Sequence, residues 1–332
     1  AASLFGLMLI AWLRIRLIQK VRRQRRLFEQ WRPLLAWATI ECPATLPELA
    51  PMDRVAFLHL WVHYHASLRG AVKRNLNELA RRLNVGRMAE RLLRRPALGA
   101  RLLAVTVLGE LQDENAWPNL APLLRHRNPV LSLTAARALV QIDAQTAAPE
   151  ILRIAPWRSD WAVAHVARIL KEVRRDALEP HLLAALKEAS GQAELRLLGI
   201  IEIVEPEHCG PVVRAILARA REPELIAACL RALKSPDDLT LVRRLTGHPH
   251  WFVRLHAIQV LSRLAMVEDL GRLIALMADR EWWVRLRAAE AVVALPFLSR
   301  KHLEALRQRL SSRDARDMLD HALAEQDIEG AA

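Results

Sequence analysis

The chain has 332 residues, of which 52% are hydrophobic, and a formal net charge of +13. This apolar content excludes global disorder, and the length is enough for one extended domain or two compact ones. Glycine and aromatic residues are scarce, with 11 Gly, 10 Trp, 5 Phe and 1 Tyr. Barrels and sandwiches need turn glycines and β-branched or aromatic strands, so the composition favours an all-helical protein.

The basic excess is confined to the first part of the chain. Residues 1–96 contain 18 Lys and Arg against 6 Asp and Glu, whereas residues 97–332 contain 31 against 30. The net charge is therefore +12 in the first segment and +1 in the second. A general DNA-binding surface needs persistent positive charge, so nucleic acid is not the favoured partner.

The chain begins with an uncharged apolar run at residues 3–13. A basic collar follows, made of Arg14, Arg16, Lys20, Arg22, Arg23, Arg25 and Arg26. Eleven helical residues span about 16 Å of a hydrocarbon layer of about 30 Å, so we expect residues upstream to complete a transmembrane helix. A dense positive collar is typical of the cytoplasmic side of a span. The pattern predicts a single-pass anchor in the inner membrane, with the collar against an anionic membrane surface and the body in the cytoplasm.

Three other interpretations of this segment stay open. It could be an interfacial amphipathic helix, an uncleaved signal sequence, or the first core helix of a soluble domain. The cysteines agree with a cytoplasmic, reducing location. Cys42, Cys209 and Cys229 cannot all pair within the chain and have no C-x-x-C spacing, so neither a disulfide framework nor a zinc module is expected.

The chain divides by composition into five segments. Residues 1–40 are the anchor and collar, and residues 41–52 form a linker with three prolines. Residues 53–96 have the pattern of an irregular helical cap. Residues 97–312 contain about seven repeats, and residues 313–332 form a C-terminal cap and tail.

The repeats have a period of about 31 residues. Their equivalent anchor positions, spaced 31, 31, 31, 29, 31 and 31, are Arg101, Ser132, Val163, Glu194, Pro223, Arg254 and Arg285. The positions 3, 4, 7 and 10 residues after each anchor are all apolar, which predicts one helix with one buried face in every repeat. Prolines also recur every 31 residues, at Pro118, Pro149, Pro180 and Pro211. Because proline is favoured in the first turn, we predict that each begins a second helix.

Helix pairs of this length resemble HEAT repeats, including the bacterial HEAT-like repeats of the PBS-lyase type. The segment 279–295 resembles the family most, with Asp279 and Arg285 six residues apart. The resemblance implies an all-α fold, a right-handed α-solenoid of helix pairs with an armadillo-type superhelix, behind the N-terminal membrane-anchor helix. The family's polar ladder between repeats is not expected at the units that lack the arginine, which are those at Ser132, Val163, Glu194 and Pro223.

No motif in the sequence indicates catalysis. There is no phosphate loop, no G-x-S-x-G or G-x-G-x-x-G pattern, and no His-Glu dipeptide of the kind that HEAT-like iron hydroxylases carry. His59, His63 and His65 have a spacing that could ligate a metal, but no Glu follows the first His as in metalloproteases. We interpret these histidines as packing or surface residues, and predict no enzyme activity, metal or cofactor.

The candidate binding surface is the exposed stripe of the repeated helices. Five residues after the anchors stand Arg137 and Arg168 towards one end, and Gln259 and Glu290 towards the other, so charge changes from basic to acidic. We hypothesise that the Arg137 and Arg168 end binds an acidic partner segment. A second candidate is an aromatic cluster at equivalent turns of two repeats, either a binding hot spot or packing between repeats: Trp251, Trp282 and Trp283.

The sequence favours a non-catalytic scaffold or adaptor that holds a protein partner at the cytoplasmic face of the membrane. Family-level association suggests an envelope or polysaccharide-synthesis assembly, with no small-molecule substrate. The alternative is a soluble HEAT-like enzyme or nucleic-acid-binding protein, similar to the DNA glycosylases or the lyases that are built from such repeats.

Overall fold

The structure is a computed structural model, and it describes residues 2–68, 70–201, 204, 206–264 and 266–329. Within these ranges every regular element is a helix. Contacts divide the chain into two compact units. The N-terminal unit comprises Ala1–Ile154 and Arg158–Arg174, and the C-terminal unit comprises Ala155–Trp157 and Arg175–Ala332.

The α-helices are numbered in chain order. Those of the N-terminal unit are α1 (Ala2–Trp37), α2 (Arg54–Ala66), α3 (Ala71–Arg82), α4 (Val85–Leu93), α5 (Leu98–Leu111), α6 (Trp117–Leu120), α7 (Pro129–Ile142), α8 (Ala144–Ile154) and α9 (Val163–Leu170). Those of the C-terminal unit are α10 (Arg175–Glu188), α11 (Gly191–Leu198), α12 (Pro206–Arg219), α13 (Pro223–Ala232), α14 (Leu239–Leu245), α15 (Trp251–Leu264), α16 (Leu270–Leu276), α17 (Trp282–Val293), α18 (Arg300–Arg309) and α19 (Arg313–Glu329).

The repeated apolar positions form the core of both units. The seven anchor positions lie in seven helices, α5, α7, α9, α11, α13, α15 and α17. Every apolar position predicted to face the core is buried, except Ile142, Ala167 and Leu264, which are half-buried. The prediction of one helix with one buried face in each repeat is confirmed.

The repeats are stacked within each unit. In the N-terminal unit α7 contacts both α5 and α9. In the C-terminal unit α11, α13, α15, α17 and α19 contact one another in that order, and α10, α12, α14 and α16 each pack on the helix that follows them. Helix pairs stacked in this way are the arrangement of an α-solenoid.

The recurring prolines do not all begin the second helices. Pro118 lies at the second position of α6, as predicted. Pro149, Pro180 and Pro211 lie inside α8, α10 and α12, so the prediction is wrong for these three. At α8 the reason is a cap, because Asp143 Oδ1 accepts the backbone N–H groups of Gln145 and Thr146 at 3.0 and 3.2 Å. This cap starts the helix five residues before the proline.

The second half of α1 belongs to the core of the N-terminal unit. Leu27, Trp31 and Leu35 follow a four-residue spacing and are buried. Trp31 packs edge-on against Phe57 of α2, with ring centroids 4.7 Å apart. This part of the chain is the first core helix of a domain, one of the alternatives considered from the sequence.

The predicted membrane anchor is wrong. Within the described residues, no helix has enough consecutive apolar residues to reach across a bilayer. Although α1 has 36 residues, its uncharged run ends before Arg14 and Arg16. Eleven residues cover only about 16 Å, roughly half of the hydrocarbon layer. The predicted transmembrane helix and the single-pass, inner-membrane localisation are therefore not supported.

The residues of the predicted collar lie on the surface of α1. Arg14, Arg16, Arg22, Arg25 and Arg26 are exposed. Arg23 is half-buried and donates from Nη2 to Asp53 Oδ2 at 3.0 Å. The side chain of Lys20 lies outside the described part of the structure.

Candidate partner-binding grooves

Beside the buried stripe, the first helix of a repeat carries a second stripe of side chains. These are the positions 2, 5 and 9 residues after the anchor, which share one face of the helix because their spacing is three and four. Two grooves form where these stripes of neighbouring helices face each other. We call them the N-terminal groove and the C-terminal groove, one in each unit.

The N-terminal groove lies between α5, α7 and α9 and has a volume of about 700 Å³. Thr106, Arg137 and Arg168, which are equivalent positions of three successive repeats, all line it. The structure therefore brings together the two arginines that the sequence proposed for partner binding. The lining also includes Val130, which is 56% exposed, and the buried Ile169. Basic side chains thus border an apolar surface.

The two arginines differ in their partners. Arg137 Nε lies 3.2 Å from Glu172 Oε1, with 56% and 37% of the two side chains exposed. An ion pair as exposed as this contributes little to stability, so an incoming carboxylate can replace Glu172. Arg168 is exposed and has no ion pair among the residues that the structure describes. The charged side chains of the groove leave a net charge of +1.

A buried polar network connects the edge of the groove, on α7, to α2, α3 and α5. Gln141, at the edge of the groove, donates from Nε2 to Glu110 Oε1 at 3.1 Å. Glu110 also lies 2.8 Å from His65 Nδ1 and 3.1 Å from Lys73 Nζ. Burial raises the pKa of Glu110, but the hydrogen bonds from His65 and Lys73 outweigh it and lower the pKa to about 2. Glu110 therefore stays ionised and joins four helices.

The C-terminal groove lies between α13, α15 and α17 and has a volume of about 470 Å³. Gln259 and Glu290, the other predicted binding residues, both line it. Glu290 Oε2 is bonded to Arg287 Nη1 at 2.6 Å on the same helix, so its charge is neutralised. Arg231 and Arg263 also line the groove, which leaves a net charge of +2. The acidic end expected from the sequence is therefore basic in the structure.

Sequence reasoning missed these three arginines because it followed only the positions five residues after the anchors. Arg287 stands three residues before Glu290, and Arg263 stands four residues after Gln259. Both spacings place the side chains on the same helix face. Inspection of the neighbours at three and four residues would have revealed the basic character of the groove.

His256 lies within the C-terminal groove in a defined hydrogen-bonding state. Its Nε2 accepts from Arg231 Nη1 at 3.4 Å, and its Nδ1 donates to Gln259 Oε1 at 2.8 Å. Burial lowers the pKa of His256, and the positive charges of Arg231 and Arg287 lower it further, while the bond to Gln259 raises it. The pKa of the imidazole therefore lies below its ordinary value, which favours the neutral form at pH 7.

The three tryptophans of the aromatic cluster lie at the first turns of α15 and α17. Trp251, Trp282 and Trp283 are 39%, 41% and 57% exposed. Trp282 and Trp283 pack edge to face, with centroids 4.7 Å apart. Each side chain therefore packs over part of its surface and presents the rest to solvent, so a binding role stays a prediction.

The polar ladder that the resemblance to HEAT repeats implies is present in the C-terminal unit. Arg254 Nη2 and Nε donate to the two carboxylate oxygens of Asp279 at 2.6 and 2.8 Å, and its Nη1 donates to the His248 carbonyl at 2.8 Å. Arg254 is 5% exposed, so this bidentate pair ties α15 to the loop before α17.

An equivalent ion pair is present at a repeat where we expected none. Here the acidic residue stands at the anchor position and the arginine is its partner. Glu194, fully buried at the anchor position of α11, accepts hydrogen bonds from Arg219, which is 25 residues later. Arg254 and Asp279 are also 25 residues apart. At Ser132 the anchor hydroxyl instead accepts from Trp161 Nε1 at 2.8 Å. The expectation was wrong at Glu194 because the contact needs complementary charges, whichever side supplies the arginine.

The three histidines whose spacing could ligate a metal lie in different environments. His59 and His63 are exposed, whereas His65 is buried and its Nε2 lies 2.9 Å from Asn77 Oδ1. Over the residues that the structure describes, no three His, Cys, Asp or Glu side chains converge as ion ligands. The buried polar network accounts for His65.

Comparison with protein families gives one finding. The family model for HEAT repeats matches residues 210–294. This segment includes the first helices of the repeats anchored at Pro223, Arg254 and Arg285, and all residues named above in the C-terminal groove. Comparison of the chain with curated proteins gives no match.

Proposed function

We propose that the chain is a HEAT-like repeat protein that acts as a non-catalytic scaffold for a protein partner, because residues 210–294 match HEAT repeats and such repeats generally mediate protein–protein interaction. The partner contributes an acidic segment that lies in the N-terminal groove. Arg137 and Arg168 bind its carboxylates, and the apolar surface around Val130 and Ile169 takes up aliphatic side chains between them.

The observation that carries this proposal is the position of two arginines from successive repeats in one groove. Arg168 has no ion pair in the described part of the chain, and Glu172 is bonded to Arg137 only through an exposed ion pair. Hydrogen bonds between guanidinium and carboxylate groups are stronger than neutral ones and depend on geometry. An acidic segment therefore gains both charge complementarity and apolar contact.

The test is reversal of both charges, with a matched control. We expect R137E/R168E to weaken capture of the partner at least a hundredfold, because each lost contact leaves a carboxylate facing like charge. The measurement is cross-linked co-purification from the cells of origin, followed by titration of the identified partner. R125E/R153E, which changes two exposed arginines of the same unit outside the groove, should bind normally. Unchanged capture by R137E/R168E would refute the proposal.

The exposed part of α1 supports a second contact, with an anionic lipid surface that the helix does not cross. Arg14, Arg22 and Arg26 are exposed, and none has a carboxylate partner within the described ranges. The Arg16 guanidinium stacks 4.0 Å from the ring centre of Trp12, which is 48% exposed. Arginine beside exposed tryptophan is typical of segments at a membrane–water interface. This contact would place the scaffold at a membrane by surface charge alone.

A further inference from the structure

The C-terminal groove gathers three guanidinium groups around one cavity. Arg231 comes from the end of α13, Arg263 from the end of α15 and Arg287 from the first half of α17. Glu290 is the one acidic residue in the lining, and its carboxylate is already bonded to Arg287. The charges of Arg231 and Arg263 therefore remain uncompensated.

The hydrogen bonds of these arginines leave most of their donors unused. Among the described residues, neither Arg231 nor Arg263 has a carboxylate partner. Arg231 Nη1 donates to His256 at 3.4 Å, and Arg263 Nη2 donates to the Leu233 carbonyl at 3.3 Å. Arg287 Nε is buried and has no acceptor within the described part of the chain. Since a guanidinium has five N–H donors and Arg231 and Arg263 are exposed, most of the donors of these two side chains are available to a ligand.

His256 lies among these charges and lacks a negative neighbour on its own helix. It faces Arg231 from α13, Gln259 and Arg263 on α15, and Arg287 and Glu290 from α17. Burial lowers the pKa of this ring, and the positive charges of Arg231 and Arg287 lower it further. An anion in the cavity would compensate this charge and favour protonation of the ring.

We propose that the C-terminal groove is a binding site for a phosphoryl group, held by Arg231, Arg263 and Arg287. A phosphoryl group with two negative charges matches the net charge of +2 of the groove lining. Its oxygens can accept hydrogen bonds from several guanidinium groups at once. A single carboxylate would leave one positive charge in the cavity. The volume of about 470 Å³ lies within the range of small-ligand pockets and admits a phosphorylated side chain or a small phosphate ester. This site goes beyond the scaffold function, because it does not depend on the N-terminal groove.

The first experiment measures binding of inorganic phosphate to the full chain by isothermal titration calorimetry. We expect one saturable site. R231Q, R263Q and R287Q should each weaken binding about tenfold, the loss expected for one charge-assisted hydrogen bond. R316Q removes an exposed arginine of α19 that does not line the groove, and it should bind as the unchanged protein does. Thermal denaturation of each variant checks that it is folded.

A second readout places the ligand in the groove. The ring protons of His256, identified by their loss in H256Q, should shift in the NMR spectrum as phosphate is added, and R231Q should reduce the shift. A peptide with one phosphoserine and uncharged flanks identifies the source of the group. Binding at least tenfold tighter than that of inorganic phosphate assigns the group to a modified protein segment, and equal or weaker binding assigns it to a free phosphate ester. The proposal is overturned if neither probe saturates, or if R231Q and R263Q bind as well as R316Q.

Discussion

Glu110 is a largely buried carboxylate of α5 that joins four helices of the N-terminal unit. Its carboxylate accepts from side chains of three other helices, through His65, Lys73 and Gln141. Asn77 adds a bond from Nδ2 to the Glu110 carbonyl at 2.9 Å. The side chain of Glu110 is only 11% exposed, so loss of its charge would leave several buried donors without a charged acceptor.

The acid stability of the protein should reflect this residue. The pKa of Glu110 is about 2 in the folded chain, against 4.5 as the ordinary value. Its stabilising contribution is therefore complete above about pH 5 and is lost as the pH falls towards 2. Over this pH range we expect a larger decrease in the free energy of unfolding for the unchanged protein than for E110Q. The difference between the two decreases should be up to about 3 kcal/mol. Urea denaturation followed by circular dichroism at several pH values measures the difference.

Glu114 provides the control for this titration because it is exposed in the same unit. E114Q should keep the steep pH dependence, while E110Q should flatten it and also unfold more easily at pH 7. Identical profiles for E110Q and the unchanged protein would contradict the assigned role.

From the sequence, His65 could be assigned a packing role, but this polar network could not be predicted. Its members are up to 76 residues apart, and only tertiary packing brings them together.

The helices α5 and α7 meet closely at one glycine. A Cβ atom added to Gly109 would lie 2.7 Å from Ala138 Cα and 2.6 Å from Gln141 Oε1. Because the first of these is a backbone atom, α7 would have to shift. We expect G109A to lower the free energy of unfolding by about 1–3 kcal/mol, as overpacked cores do. Urea denaturation measures this loss.

Gly99 is the matched control within the same helix, since an added Cβ meets nothing within 4 Å there. G99A should be neutral or stabilise the protein by up to about 1 kcal/mol through helix propensity. If both variants have the same stability, the approach of α5 to α7 does not limit the packing of the unit.

At the scale of helices, burial is easier to predict from the sequence than charge pairing or helix starts. The apolar positions of each repeat follow the period of the helix, so their burial requires no knowledge of loops. Helix starts depend on local caps, as Asp143 shows for α8, and a proline further along does not decide them. The pair of Glu194 and Arg219 was missed because the expected pattern fixed the arginine at one position. A search for opposite charges 25 residues apart, in either order, would have found both this pair and the pair of Arg254 and Asp279.

Across the whole molecule, the distribution of charge could be counted from the sequence, but the structural role of the basic segment could not be predicted. The net charge of +12 lies in residues 1–96, and this count needs no structure. We interpreted this charge as the flank of a transmembrane helix, and the apolar run proved too short for one. What decides the interpretation is the burial of Leu27, Trp31 and Leu35, which makes α1 a core helix at one end and an exposed basic helix at the other.

Contact between α1 and an anionic lipid surface is testable with the whole chain. We expect the protein to sediment with vesicles containing phosphatidylglycerol, and not with vesicles of phosphatidylcholine alone. Each basic residue near a charged surface contributes about 1 kcal/mol, so R14Q/R16Q/R22Q/R26Q should weaken binding at least a hundredfold. Binding should also decrease as salt shortens the Debye length from about 30 Å at 0.01 M to about 10 Å at 0.1 M.

The control for this experiment removes the same charge from another part of the N-terminal unit. Arg87, Arg91, Arg94 and Arg95 are exposed in and after α4, and R87Q/R91Q/R94Q/R95Q should sediment nearly as well as the unchanged protein. Equal losses in the two variants would mean that vesicles respond to total charge and that α1 has no special part in binding. Loss of binding confined to the α1 variant would assign the lipid contact to α1. This helix packs into the core at Trp31 and has its exposed arginines nearer its N-terminus.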